Sequence, residues 1–199
     1  VFSFLDDGGW KIEVKAEKNV LAGEITALHK DLELSLFLND LVYNEKDIFV
    51  RKILIKNLAY RERKIKIFFG HQFELTESTA APTAYYNPSD NTIIHYRNQR
   101  AFLINAQIEG RGFDDYSTGV FGVEGKEGTH KDAEDGVLSK NNIEHGQVDS
   151  VIGLEAQFAP LEEKLLYYWL AAGEAISEVA ALNAYVLEHG PGHLVETTK

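Results

Sequence analysis

Val148-Asp149-Ser150-Val151-Ile152-Gly153-Leu154-Glu155-Ala156-Gln157-Phe158 is the stretch that decides the fold class. Val148, Ser150, Ile152, Leu154, Ala156 and Phe158 occupy every second position, between Asp149, Val151, Gly153, Glu155 and Gln157. A period of two sends successive side chains to opposite faces of a strand. Ala159-Pro160-Leu161-Glu162-Glu163 then turns the chain, because Pro fixes one backbone dihedral and removes a donor. Lys164–Ala172 follows as a second strand.

The same rhythm extends toward the N-terminus. Trp10, Ile12, Val14 and Ala16 alternate with Lys11, Glu13 and Lys15, which predicts a half-buried strand. Leu32, Leu34, Leu36 and Leu38 repeat the pattern, interleaved with Glu33, Ser35, Phe37 and Asn39. Residues 49–57 and 64–69 are β-rich, and the residues between them have the length of a hairpin connection. Arg61, Arg63, Lys64 and Lys66 would then form a basic patch at an exposed hairpin end. Asn87-Pro88-Ser89-Asp90-Asn91 is a turn signal that leads into a hairpin of residues 92–97 and 101–109. Many short strands with turns between them predict an antiparallel sandwich or barrel over residues 1–173.

After Gly173 the period changes. Ser177 has the chemistry of an N-cap, and Val179, Leu182, Tyr185 and Val186 fall at helical spacing. Gly190 and Pro191 end that helix, and Pro191 opens a second short one. Residues 174–199 therefore read as a helical connector.

The chain has 199 residues, 44% of them hydrophobic, with 20 Lys+Arg against 31 Asp+Glu, a formal charge of −11. That balance argues against nucleic acid and anionic membranes as partners, since both need surplus cationic charge. Neutral polyhydroxylated partners stay open. The absence of cysteine excludes disulfides and thiol chemistry, and fits a reducing, cytoplasmic setting. Methionine is also absent, even at position 1, so the chain is expected not to begin where its gene begins.

Residues 110–146 break the β rhythm with glycines and charges. Within them Gly128-Thr129-His130-Lys131-Asp132-Ala133-Glu134-Asp135-Gly136 carries three carboxylates, Asp132, Glu134 and Asp135. Such groups suit a sugar hydroxyl, a calcium ion or a catalytic water, although the spacing fails the EF-hand pattern. The alternative is a solvated loop or one pinned against a neighbouring domain. Tyr85 and Tyr86 offer rings for sugar stacking, or one core ring and one half-exposed ring. His189 and His193 are four apart, but the Gly-Pro-Gly between them breaks the helix a metal pair needs, so they read as surface residues. His71 and His95 lie in strand-like segments and are the candidates for epimerase acid–base chemistry. Lone strand histidines are commonly structural. No nucleophile elbow, phosphate loop, dinucleotide fingerprint or zinc helix motif is present.

Several segments together resemble one known family. They are Phe2-Ser3-Phe4-Leu5-Asp6-Asp7 with Trp10, Val50-Arg51 through Asn57-Leu58, Phe68-Phe69, and Thr83-Ala84-Tyr85-Tyr86-Asn87-Pro88. Glu127-Gly128-Thr129 with Asp132 through Gly136 follows, then Val148-Asp149-Ser150 with Ile152-Gly153-Leu154, and Tyr168-Trp169 with Ala171-Ala172-Gly173. In order and spacing they resemble the N-terminal domain of prokaryotic glucoamylase and glucodextranase-like enzymes, glycoside hydrolase family 15. The resemblance implies a mainly β chain, an antiparallel two-sheet β-supersandwich of the galactose mutarotase-like kind, followed by C-terminal linker helices. It implies as partner an (α/α)6 barrel that hydrolyses α-glucosidic bonds with inversion, using two glutamates.

This sequence departs from the family by lacking its opening strands and the whole barrel. No catalytic residue, cofactor or metal ligand is therefore carried over. His130 stands where the family pattern leads one to expect Trp. Tyr85, Tyr86, His130, Asp132, Glu134 and Asp135 are the expected carbohydrate or interdomain contacts.

Three functions follow. The first is a non-catalytic domain that buttresses the barrel and reaches its substrate rim. The second is a free-standing module binding an α-glucan or oligosaccharide on a platform of Tyr85, Tyr86 and Trp10. The third is an aldose epimerase. Missing strands would also leave a sheet edge open to another copy of the chain or to another segment.

Overall fold

Val148–Phe158 forms β13, and nearly every inward residue of it is buried. The computed structural model describes residues 1–16, 20–75, 81–123 and 125–198. The strands before β13 are β1 (Lys11–Ala16), β2 (Ala22–His29), β3 (Leu34–Val42), β4 (Ile48–Asn57), β5 (Arg63–Gln72) and β6 (Thr83–Asn87). They continue as β7 (Thr92–Arg97), β8 (Arg100–Ile108), β9 (Arg111–Gly112), β10 (Asp115–Val123), β11 (Lys126–Glu127) and β12 (Ile143–His145). After β13 come β14 (Glu163–Gly173) and the helices α2 (Ile176–His189) and α3 (Pro191–Thr198). A short helix α1 (Thr129–Asp132) and a 3-10 turn (Ala133–Asp135) lie between β11 and β12.

Two antiparallel sheets result. The larger has ten strands in the order β1-β2-β3-β4-β14-β8-β7-β6-β12, with β9 attached to β8. The smaller has four, in the order β11-β10-β13-β5. The core lies between them, and alternation dictates its membership. Leu34, Leu36 and Leu38 of β3, Ile53 and Ile55 of β4, and Ile152 and Leu154 of β13 all point inward and are buried. Each such side chain contributes about 1.5–3 kcal/mol by leaving water. On the outer face of the large sheet, Leu41, Ile48, Val50 and Trp169 pack against Val186, Leu194 and Val195 of the two helices. The helices thus form a third layer on the sheet.

The hairpin of β7 and β8 forms as predicted, closing at Arg97 opposite Arg100. The connection of residues 58–62 is different. β4 pairs with β3 and β14, whereas β5 pairs with β13, so this segment is a corner between sheets and not a hairpin. Asn57, fully buried, holds the corner. Its Nδ2 donates to the Arg61 and Ala159 carbonyls, and its Oδ1 accepts from Ala59 N and Arg63 Nε. The basic patch accordingly disperses. Arg63 donates to the carbonyls of Leu32 and Glu33, and Lys66 pairs with Asp115 at 2.7 Å.

Two further expectations are corrected. β1 is exposed on both faces, with Val14 70% exposed, because it stands at the sheet edge, where no core cluster of the described residues reaches it. Ser177 does not cap α2. Ala175 is the N-cap without a side-chain cap bond, and the Glu178 carboxylate at the third helical position accepts the N–H of Glu174, the residue before the cap, at 2.8 Å.

Candidate functional site

The four-stranded sheet cannot cover a ten-stranded one. Beside the open edge of β5 this mismatch leaves a cleft of about 620 Å³. Its floor is the inner face of β3 and β4, including Leu34, Leu36, Leu38 and Ile53. Residues 64–71 of β5 line one wall, and Trp10, Phe49 and Tyr168 contribute aromatic surface. Phe2 and Phe4 line the rim of the cleft, and Phe2 packs with Phe68 against Ala133, Leu138 and Val151 on the outer face of the small sheet. The Phe2 and Phe4 rings meet edge-on at 4.7 Å, Phe2 touches Phe68, and Phe4 touches His130. The Asp7 carboxylate fixes this segment by accepting from Ser3 Oγ at 2.7 Å, Gly9 N at 3.1 Å and Phe4 N at 2.9 Å, and these bonds hold its pKa below the usual carboxylate value.

At one end of the cleft the two strand histidines meet. β5 and β13 are in register at His71 opposite Ser150. The Ser150 hydroxyl lies 3.2 Å from His71 Nδ1 and 2.8 Å from His95 Nε2, so one serine bridges both rings. The His71 ring is parallel to the Tyr168 ring at 5.7 Å. Burial, reinforced by the neighbouring His95, lowers the His71 pKa to about 3, and burial lowers that of His95 to about 4. Both rings are neutral at pH 7. His71 Nε2 is buried and has no hydrogen-bond partner among the described residues. Sequence reasoning named both histidines but not the serine between them, since the contact depends on the register of β5 against β13.

The remaining expected residues fall elsewhere. Tyr85 and Tyr86 are neighbours on β6 and so face opposite sides of the large sheet. Tyr86 stacks on Tyr116 at 3.7 Å and donates to Asn91 Oδ1. Tyr85 meets Tyr96 edge-on at 6.0 Å. Trp10, near β1 at the other end of the sheet, donates to Ser3 Oγ. The three rings therefore do not make one platform.

The acidic loop is organised by its own backbone. Thr129 donates through N and Oγ1 to Asp149 Oδ2 at 2.6 and 3.0 Å. Asp132 accepts from Ser139 N, Asp135 accepts from Val137 N, and Glu134 pairs with Lys131 at 3.0 Å. Gly128 has φ +112°, and a Cβ there would lie 2.7 Å from Asp149 Oδ2, so only glycine fits. His130 is exposed at the cleft mouth. On α2, His189 stacks on Tyr185 at 4.1 Å, with its Nδ1 2.9 Å from the Tyr185 carbonyl oxygen.

No protein-family model matches the chain, and no curated protein matches it. Among solved structures, a putative kojibiose phosphorylase from the human microbiome gives a TM-score of 0.49 at 9% identity, over 94% of this chain and 26% of that one. A bacterial glucoamylase complexed with acarbose gives a TM-score of 0.73 at 12% identity, over 96% of this chain and 28% of that one. The fold is therefore shared with part of a bacterial glucoamylase, and the chain spans just over a quarter of that protein's length.

Proposed function

We propose that this chain is the non-catalytic β-sandwich domain of a glucoamylase-like α-glucoside hydrolase, with residues 1–173 as the sandwich and 174–199 leading toward an (α/α)6 catalytic barrel. The observation that carries the reading is the likeness in fold to a bacterial glucoamylase of which the chain covers only 28%. The helices α2 and α3, anchored on the large sheet, support it by giving the chain a fixed exit toward a following domain. The loop of residues 128–136 is the part assigned to the barrel and its substrate rim. Its outward groups, His130, Lys131 and Glu134, are exposed, while Asp132 and Asp135 hold its shape. Tyr86 is half-buried against the core between the sheets and Tyr85 against the cluster under α2, so both contribute to that rim indirectly.

A second copy of the chain is assigned to the free edge of β1, where Ile12 and Val14 are exposed. No helix among the described residues is long and apolar enough to cross a membrane. A cytoplasmic location belongs to the proposal and rests on the absence of cysteine.

Glucose release tests the reading. The isolated chain should release none from maltose or isomaltose. The intact gene product, several hundred residues longer by mass, should release β-glucose from the same α-glucosides. Release by the isolated chain at enzymatic rates would overturn the proposal.

A further inference from the structure

The cleft beside β5 is apolar along its length and polar at one end. Its volume, about 620 Å³, lies within the range of small-molecule sites. Every cationic side chain lining it is already engaged. Arg51 binds Asp40 through Nε at 2.7 Å and Nη2 at 2.6 Å. Lys64 pairs with Glu155 at 2.9 Å, Lys66 pairs with Asp115, and Arg63 is held by backbone carbonyls. Among the described side chains that line it no unpaired cation is left to attract an anion, and transferring an uncompensated charge into such a space is costly.

Two neutral polar groups at the end are still unspent. Among the described residues His71 Nε2 is buried without a hydrogen-bond partner, and the Tyr168 hydroxyl, on the ring parallel to His71 at 5.7 Å and in the field of Arg51, makes no hydrogen bond. Because Nδ1 of His71 reaches Ser150 on β13, Nε2 lies on the side of the ring away from that strand. The serine bridge can run in the direction His71 to Ser150 to His95, which leaves Nε2 as an acceptor. Lys64 and Lys66 on β5, with Phe2 packed beside that strand on Phe68, guard the open edge against an added polypeptide strand.

We propose that this cleft is a binding site for a neutral amphiphile, an aliphatic chain bearing one hydroxyl group. The chain lies along Leu34, Leu36, Leu38 and Ile67. The hydroxyl oxygen accepts from the Tyr168 O–H, and the hydroxyl proton is donated to His71 Nε2.

The test titrates the protein with 1-decanol and, separately, with sodium decanoate at pH 8. Two readouts serve, calorimetry and tryptophan fluorescence. Trp10 lines the cleft, while Trp169 lies on the opposite face of the sheet under α2. Saturable uptake of decanol, a change in Trp10 emission and at least tenfold weaker uptake of decanoate are expected. Tyr168→Phe should weaken decanol binding roughly fivefold to tenfold, the value of one neutral hydrogen bond. Since Tyr168 is buried, cross-relaxation between decanol methylenes and the Phe69 and Tyr168 rings of the unmodified protein provides a measurement free of any folding defect. Absence of saturable uptake would overturn the proposal, and so would decanoate binding as tightly as decanol. Sedimentation showing a dimer that excludes decanol would overturn it in favour of a second copy seated along β5. Each outcome is independent of whether the intact product hydrolyses glucosides.

Discussion

A single hydroxyl, that of Ser150, satisfies two buried rings, and this gives the residue unusual leverage. Ser150→Ala would leave His71 Nδ1 and His95 Nε2 without partners in the core. Each unsatisfied buried group costs about 1–3 kcal/mol. Denaturant unfolding should therefore show a loss of about 2–4 kcal/mol with an unchanged m-value. The same pair makes stability depend on pH. Both folded-state values, about 3 and about 4, lie below the unfolded histidine value near 6.5. Between those limits the unfolded chain binds more protons than the folded one, so stability rises with pH. The contribution is fully present above about pH 6.5. It declines as pH falls, by several kcal/mol on reaching pH 3–4. Unfolding midpoints measured from pH 7 to pH 4 should fall, and His95→Gln should flatten the slope.

At the scale of the element, the buried polar anchors decide which segments hold still. Asn183 on α2 accepts from Trp169 Nε1 of β14 at 2.9 Å and from Asn105 Nδ2 of β8 at 3.1 Å. Asn183→Leu should cost about 2–4 kcal/mol, because it strands the indole N–H and an amide in a dry layer. Increased hydrogen exchange confined to α2 and α3 is the accompanying signature. Gly128→Ala should cost about 1–3 kcal/mol, since it combines a positive φ with a collision at Asp149, and the loop of residues 128–136 should become protease-sensitive first. These anchors also mark what a sequence can and cannot disclose. The alternation of β13, the leucines of β3 and the hairpin of β7 and β8 are local patterns, and each was legible. The corner at residues 58–62 was not, because five residues between two alternating strands read alike whether the strands pair or separate into facing sheets. What separates them is the Asn57 network, which reaches Ala159 more than a hundred positions away. The candidate loop was legible as a departure from β rhythm. That its carboxylates bond their own backbone, and that His71 and His95 share one serine, depends on register between distant strands.

For the whole molecule, the governing fact is the inequality of the two sheets. The ten-stranded sheet runs past its four-stranded partner at the β1 end, so among the described residues β1 has no layer above or below it. Its side chains form two exposed rows, Ile12 and Val14 on one face and Lys11, Glu13 and Lys15 on the other. An edge of this kind offers unpaired backbone groups beside an apolar strip, the combination that recruits another strand. The lysines temper it, since a second β1 laid antiparallel would bring Lys11 and Lys15 together, and the resulting association should be weak and favoured by salt. Sedimentation velocity across a concentration series should show reversible self-association that strengthens between low and high ionic strength. Val14→Lys should shift the distribution toward monomer. Because Val14 is 70% exposed, the same substitution should change unfolding free energy by no more than about 0.5 kcal/mol. A monomer at every concentration and salt level would remove β1 as a pairing edge.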